Sequence, residues 1–437
     1  MEIWGVEGWA GIWYNMGSMK KQKQIVAKKS LALVSLGCAK NAVDLQVMAG
    51  NLLKEGFYLS SNPDEADVVI VNTCAFIESA REEAEAEIVR ALELKRRGAY
   101  GRVIVTGCYP ERYPRAAGKF PGVDVWKGVP KDWVETKTPG LRFTGKAFAY
   151  LKIAEGCVHR CAYCAIPGIR GKYRSRPVES IIAEAKALIR SGCRELNVVA
   201  QDPMLYGIDM KGGWDLVRLL WKLDKIGGDF WVRVLYSYPN EITEGFLEWL
   251  NRSKHAAKYV DVPLQHTDEE VLRRMNRGAA IEATRVAAEA LRLAVPGVTL
   301  RTTIMTGFPG ETARRFRGMM ADLKRMQFDH VGAFAFSPEE GTKAAKMGGR
   351  PSRKVAEARE KDVMELAKAI WRVRARRQIG TVQRALVIAP GVARLESQAP
   401  DVDGICRGEF DEVGEFIWVQ VKAVKGFDFE VEEVEVE

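Results

Sequence analysis

From Leu31 onward, short β-branched runs alternate with longer charged stretches of helical period, the pattern of strand-helix-strand units around a parallel sheet. Three early runs, LALVSLGC, VVIVNTC and RVIVTGC, end in Cys38, Cys74 and Cys108, spaced 36 and 34 residues apart, about one strand-helix unit each. Parallel strands point the same way. Their C-terminal ends therefore share one edge of the sheet, where such folds bind ligands. One cysteine there would be a small buried hydrophobe; three in the same relative position predict an iron-sulfur site.

After a turn-rich link around Thr136 to Thr144, a second series runs through AYLKIAEGC, ELNVVAQD, FWVRVLYSYP, YVDVPLQH, TLRTTIMTGFPG and HVGAFAFSPEEGT. Six strands separated by helical segments predict an open six-fold strand-helix barrel with chemistry at the C-terminal strand ends. Those ends carry Cys157 to Cys164, Gln201 and Asp202, Tyr236 and Tyr238, Gln265 and His266, Thr306 and Gly307, and Ser337. A basic helix from Arg353 to Arg377 would close the barrel. Beyond it, TVQRALVIAP, GVARLES, GICRGEF, FIWVQVKAV and FDFEVEEVEV read as five short strands of a small antiparallel β-barrel. The expected fold is α/β in three units: an N-terminal doubly wound parallel-sheet domain over 30–142, the open (β/α)6 core over 143–374, and the small barrel over 375–437. Residues 1–29, with Trp4, Trp9 and Trp13 among glycines and then KKQK, read as an extension or disordered tail with no assigned role.

Charge divides the chain. The net charge is +9, yet from Gln378 to Glu437 there are 13 acidic and 5 basic residues, a balance of −8, which leaves about +17 elsewhere. A barrel that grips RNA should be basic; this one suits a basic protein partner. The alternating glutamates of EVEEVEVE fit a binding face or a charge-protected edge strand equally well. No run approaches the roughly 18 apolar residues of a membrane span, and no signal peptide is evident, so the expectation is a cytoplasmic protein without membrane contact. Eight cysteines in a chain of 437, six of them in loops after apolar strands, fit metal ligation better than disulfides, with Cys193 and Cys406 packing as hydrophobes.

The sharpest chemical signal is GCVHRCAYC. Its Cys157, Cys161 and Cys164 form a C-x3-C-x2-C loop that offers three thiolates to a [4Fe-4S] cluster and leaves one iron open for an exogenous ligand. A structural zinc site is the alternative, with His159 as fourth ligand, although a histidine two residues from each neighbouring cysteine makes a strained bite.

This loop, with Tyr163 between its last two cysteines, is similar to the signature of the radical S-adenosylmethionine (SAM) superfamily. Together with SLGCAKNAVDLQ, VNTCAFIESAREEAEAEI, TGCYPERY, EGCVHRCAYCAIPGIRGKYRSRP, QDPMLYGID, VPLQHTDEEVLRRMNRG and GFPGET, it resembles the methylthiotransferases, nearer the RimO branch than the MiaB branch. Ala39 and Val158 depart from the usual proline and asparagine without removing a ligand. The resemblance implies an auxiliary [4Fe-4S] cluster on Cys38, Cys74 and Cys108, a SAM-binding [4Fe-4S] cluster on Cys157, Cys161 and Cys164, and a TRAM-like C-terminal barrel. It implies that SAM serves as co-substrate and as radical source, and that sulfur is inserted and methylated at the β-carbon of an aspartate on small-subunit ribosomal protein S-twelve, free or in the ribosomal subunit. An electron donor such as flavodoxin or ferredoxin and a sulfur donor are implied partners. Tyr163, Gln201, Asp202, Gln265 and His266 are expected cofactor or substrate contacts by position alone. The alternatives are a transfer-RNA methylthiotransferase of the MiaB type and a non-catalytic iron-sulfur or RNA-binding scaffold.

Overall fold

The apolar runs of the N-terminal third pair in parallel as β1 (Ser30–Ser35), β2 (Tyr58–Leu59), β3 (Ala66–Thr73), β4 (Tyr100–Gly107) and β5 (Val125–Lys127), in the order β2-β1-β3-β4-β5. This computed structural model describes residues 29–130, 141–278 and 281–436; the tryptophan-rich start and much of the expected link near Thr136 lie outside them. The run VVIV in β3 is apolar throughout because both its faces are covered. Val68 and Ile70 pack with Leu45, Met48 and Leu52 of α1 (Ala39–Lys54), while Val69 and Val71 pack with Ala84, Ile88 and Ala91 of α2 (Glu78–Arg96). The strand order reverses between β1 and β3. A doubly wound sheet opens a crevice at that point, and Cys38 and Cys74 leave their strands there. Cys108 opens the short α3 (Cys108–Arg112) after β4.

The central strands run in chain order as two three-stranded parallel ladders. The first comprises β6 (Phe148–Lys152), β9 (Glu195–Val199) and β10 (Trp231–Val234); the second comprises β11 (Tyr259–Asp261), β12 (Thr299–Thr306) and β13 (His330–Ala335). An isolated bridge between Val232 and Ala256 joins them, so the six-fold array is continuous but its ladder is interrupted at the middle. A two-stranded hairpin of β7 (Ala154–Glu155) and β8 (Arg174–Ser175) brackets the Cys157 loop and α4 (Ile166–Arg170). Outer helices α5 (Val178–Arg190), α6 (Leu216–Asp224), α7 (Glu244–Arg252), α9 (Ile281–Ala294) and α10 (Ala313–Met326) cover the strands, with α8 (Glu269–Arg274) following β11. Leu196, Val198, Val232, Val260 and Leu300 meet Leu188, Leu219, Phe246, Trp249 and Met319 in one continuous core.

Helix α11 (Arg353–Arg376) packs beside β12, where the Thr306 hydroxyl donates to the Ala356 carbonyl, 2.9 Å. Its last turns already belong to the next unit: Trp371 and Ala375 enter the core of the closed barrel β14 (Val382–Ala389), β15 (Val392–Leu395), β16 (Cys406–Arg407), β18 (Asp428–Glu433) and β17 (Phe416–Lys425). Four of its ladders are antiparallel and one, β16 with β18, is parallel. Five strands closed in a ring cannot alternate direction throughout, so the antiparallel expectation fails at one seam.

This small barrel plugs the N-terminal ends of the central strands. Glu195, the first residue of β9, is buried between Arg233 (2.8 Å) and Arg394. Tyr150 and Tyr259 donate to Asp401 and Asp403, and Arg301 pairs with Asp403 at 2.7 Å. Only the C-terminal strand ends are left for chemistry. Among the described residues, no helix is long and apolar enough to cross a membrane.

Candidate active site

The first cysteine set is built on the crevice edge of the N-terminal sheet. Cys38 precedes α1 in extended backbone, and its carbonyl accepts from the amides of Asn41 (2.8 Å) and Ala42 (3.0 Å). Asn41 then staples the cysteine loops together: its side-chain amide donates to the carbonyls of Leu36 (2.7 Å) and Thr73 (3.2 Å), and its own carbonyl accepts from Asn72 (2.6 Å). Gly37 lies at φ +86°, and a Cβ there would fall 2.7 Å from the Cβ of Cys74. Close packing of the loops requires glycine. Cys38 is exposed, Cys74 half-buried and Cys108 buried. Burial pushes the Cys74 thiol up and the Cys108 thiol up to about 12, while Arg170 pulls both back toward the thiolate. A bound iron would favour the thiolates further.

The second set lies in the loop from Cys157 to Cys164. Its entry glycine, Gly156, sits at φ +82°, where a Cβ would be 2.3 Å from the Lys172 carbonyl oxygen. Ala162 anchors the loop by donating to Met275 (2.9 Å) and accepting from Ala344 (2.8 Å). Burial pushes Cys157 up to about 11 and Cys164 up to about 12. Arg277 lies against Cys161, 4.1 Å from the ring centre of Tyr238. His159 stacks on the same tyrosine, centroids 4.1 Å apart, with Nε2 2.7 Å from Asp202. Its partner is therefore a carboxylate, which weakens the zinc alternative. Among the described residues no three Cys, His, Asp or Glu side chains converge on a single ion; a four-iron cluster takes one thiolate per iron and needs no such convergence.

A buried charge network ties the first set to α4, the helix that follows the second set. Arg170 of α4 donates to Asp44 (2.5 Å), Glu155 (3.2 Å), the Asn41 side chain (3.0 Å) and the Cys108 sulfur (3.1 Å). Lys152 donates to Asp44 (2.5 Å) and to Glu155. Burial alone would raise the Glu155 carboxyl; Lys152 and Arg170 overcome it and hold the group at about 2. Two cations on two carboxylates, with the remaining donors satisfied, is the arrangement in which buried charge is tolerated.

The other expected contacts divide by use. Gln201 donates to Glu155 (2.6 Å), and among the described residues its buried Oε1 has no hydrogen-bond partner; neither has the buried Oε1 of Gln265, which lies at φ +69°. Among the described residues Ser237 Oγ is also buried without a hydrogen-bond partner, while Asp261 Oδ1, at the end of the neighbouring strand, lies 4.0 Å from Arg301 Nε. Such orphaned atoms at the open end of the array fit a polar cofactor and substrate. Asp202 is occupied by His159 and by the Met204 amide (3.1 Å). His266 is fully buried, 3.4 Å from Glu311, and accepts from the Asp268 amide, which makes it part of the scaffold. Tyr163 is half-buried beside Cys161 and edge-on to Phe308. Sequence reasoning missed Asp44, Lys152, Glu155, Arg170 and Arg277. The one signal for them was the presence of Lys152 and Glu155 inside the apolar run AYLKIAEG.

The chain matches the family model described as the Radical SAM superfamily over residues 151–323, and Uncharacterized protein family UPF0004 over residues 30–128. Ribosomal protein uS12 methylthiotransferase RimO of Geobacter sulfurreducens is 39% identical over 413 residues, covering 86% of this chain and 92% of that protein. The protein of the same name from Moorella thermoacetica is 41% identical over 417 residues, covering 90% and 96%. The solved structure of the radical SAM methyltransferase TsrM from Kitasatospora setae, with cobalamin and a [4Fe-4S] cluster bound, matches with a TM-score of 0.52 at 15% identity, covering 73% of this chain and 77% of that one, a likeness of fold alone.

Proposed function

The chain belongs to the RimO family of ribosomal protein uS12 methylthiotransferases, and from this premise we propose that it methylthiolates the β-carbon of an aspartate on uS12. In this reading Cys157, Cys161 and Cys164 hold the SAM-binding [4Fe-4S] cluster, and Cys38, Cys74 and Cys108 hold the auxiliary one. When bound, these groups supply reductive cleavage of SAM and an iron site that carries sulfur. The chain's own residues do the placing: Gly37 and Gly156 let the loops close, Asn41 ties the auxiliary loops, and Gln201 and Gln265 offer buried acceptors to the ligand.

The observation that carries the reading is the network through Arg170, which ties the first cysteine set to the helix that directly follows the second. Hydrogen removal and sulfur delivery at the same carbon need a fixed separation. Residues 30–142 serve as the auxiliary-cluster unit, 143–374 as the SAM core and 375–437 as the docking barrel for the basic ribosomal protein. A flavodoxin or ferredoxin supplies electrons, a separate donor supplies sulfur, and the reaction runs in the cytoplasm. Relatives at 39 and 41% identity across nearly the whole chain carry the uS12 name, so the transfer-RNA and scaffold alternatives are not favoured.

The test is an anaerobic reaction of reconstituted protein with SAM, reductant, sulfide, uS12 and transfer RNA, read by mass spectrometry. Methylthio-aspartate on uS12 is the expected product; a methylthiolated adenosine would replace this reading with the transfer-RNA one, and absence of 5′-deoxyadenosine would leave the scaffold.

A further inference from the structure

The substrate carbon in the reading above adjoins a carboxylate, and that carboxylate must be held while the carbon lies between the two cysteine sets. Most cations near these sets are already engaged. Arg170 and Lys152 are bound to Asp44 and Glu155. Arg277 donates to the Pro263 carbonyl (2.9 Å), stacks on Tyr238 and lies against Cys161, which ties it to the second set.

Lys40 differs. It is in the first turn of α1, two residues after Cys38 and next to the Asn41 staple, and it is half-buried. Its Nζ sits 3.7 Å from the ring centre of Tyr236, and among the described residues no carboxylate pairs with it. A cation–π contact holds an ammonium in place for about 0.5–2 kcal/mol yet leaves its N–H donors able to turn to an anion. Tyr236, two residues past the end of β10, is in the left-handed region, φ +72°, a conformation that costs a bulky residue energy and persists where the surroundings require it. Two residues on, Tyr238 stacks on His159 of the second cysteine loop. One strand end thus touches the first set through Lys40 and the second through His159. Between the two tyrosines in sequence lies Ser237, whose buried Oγ has no hydrogen-bond partner among the described residues.

We propose that Lys40 binds the side-chain carboxylate of the substrate aspartate and so selects an acidic residue at the point between the two cysteine sets. This rests on the uS12 reading. An ammonium so placed does nothing for a neutral adenosine, and it distinguishes one aspartate within an otherwise basic protein. Losing a charge-assisted hydrogen bond to a carboxylate corresponds to about a 10- to 100-fold loss of affinity.

The experiment measures equilibrium binding of the anaerobically reconstituted protein, with SAM present, to uS12 and to uS12 whose target aspartate is asparagine. Wild type should prefer the aspartate form by about tenfold or more; Lys40→Met should bind the two forms alike, and Lys40→Arg should retain a preference. Iron content and the electron paramagnetic resonance signals of both clusters report whether each variant is folded. A Lys40→Met protein with both clusters and the full preference overturns the role of Lys40 and leaves the uS12 reading standing. If Lys40→Met fails to assemble, Lys40→Arg decides, and loss of preference in an intact Lys40→Arg protein counts against a charge-based contact. A wild type that treats the two uS12 forms alike overturns the inference, while the mass-spectrometric product on uS12 decides the aspartate reading separately.

Discussion

The guanidinium of Arg170 lies 3.1 Å from the sulfur of Cys108, although the two residues are 62 positions apart and belong to different short helices, α4 and α3. Arg170 ends the helix that begins directly after the Cys157–Cys164 loop, so one covalent step connects the second cysteine set to a hydrogen bond on the first. A positive charge therefore sits against the most buried thiol of the auxiliary set.

Replacing Arg170 with methionine should have two separable effects. Asp44 and Glu155 would be left with Lys152 alone, and breaking a buried pair in this way costs about 3–5 kcal/mol, visible as a lowered thermal midpoint. The auxiliary cluster would also lose a cation and an N–H···S bond, so its reduction potential should fall relative to wild type. Redox titration followed by electron paramagnetic resonance reads the second effect independently of stability; an unchanged auxiliary potential would show that the contact is only structural.

The two entry glycines predict reciprocal losses. Gly156→Ala places a Cβ 2.3 Å from a backbone oxygen, and Gly37→Ala places one 2.7 Å from Cys74 Cβ, both at positive φ. Each should lose one cluster and keep the other, about half of the iron found in the wild-type protein. Iron analysis with spectroscopy distinguishes them: Gly156→Ala retains the auxiliary signal, and Gly37→Ala retains the SAM-cluster signal.

The grouping of the six cysteines was legible because parallel topology brings Cys38, Cys74 and Cys108 to one sheet edge and a single short loop carries Cys157, Cys161 and Cys164. The six central strands and the closed small barrel were legible through period alone. What escaped was every group whose meaning depends on a distant partner. Lys152 and Asp44 are 108 positions apart and meet at 2.5 Å, a pairing that no local pattern encodes. His266 was expected to touch cofactor or substrate because it closes the run YVDVPLQH, but it faces Glu311 and the Asp268 amide. Within the small barrel, ring closure by an odd number of strands decided the parallel seam, and that is a property of the whole circle.

Asp261, at the end of β11, gives a pH test. Burial pushes its carboxyl up to about 6, with Arg301 and the Tyr236 amide opposing. A folded value above the unfolded one means that ionising the group costs folding stability. The cost is absent below about pH 4, grows between there and about 6, and is constant above. Asp261→Asn should therefore be more stable than wild type at pH 7 to 8, by up to about 3 kcal/mol, with the advantage vanishing near pH 4. Chemical denaturation of both proteins across this range measures it. Equal stability at pH 8 would show that the aspartate is not held in an unfavourable charged state.

The acidity of the small barrel is less available than its balance of −8 suggests. Asp401 and Asp403 are bound to Tyr150, Tyr259 and Arg301 at the seam, and Glu430 and Glu432 pair with Lys425 and Lys422 across the strands. Glu433 and Glu435 are exposed at the end of the chain, and Glu409, Asp411 and Glu412 are exposed in the loop after β16. If the barrel docks a basic ribosomal protein, Glu433→Lys with Glu435→Lys should weaken uS12 binding and flatten its salt dependence, because complementary charge acts through screened attraction. Glu432→Lys alone is a poorer probe, since it also sets two lysines against each other. Titration of labelled uS12 at several salt concentrations reads both quantities. Unchanged affinity and salt slope in the double variant would move the docking surface off this strand, and a gain of transfer-RNA binding in the same variant would show that its charge had been excluding RNA.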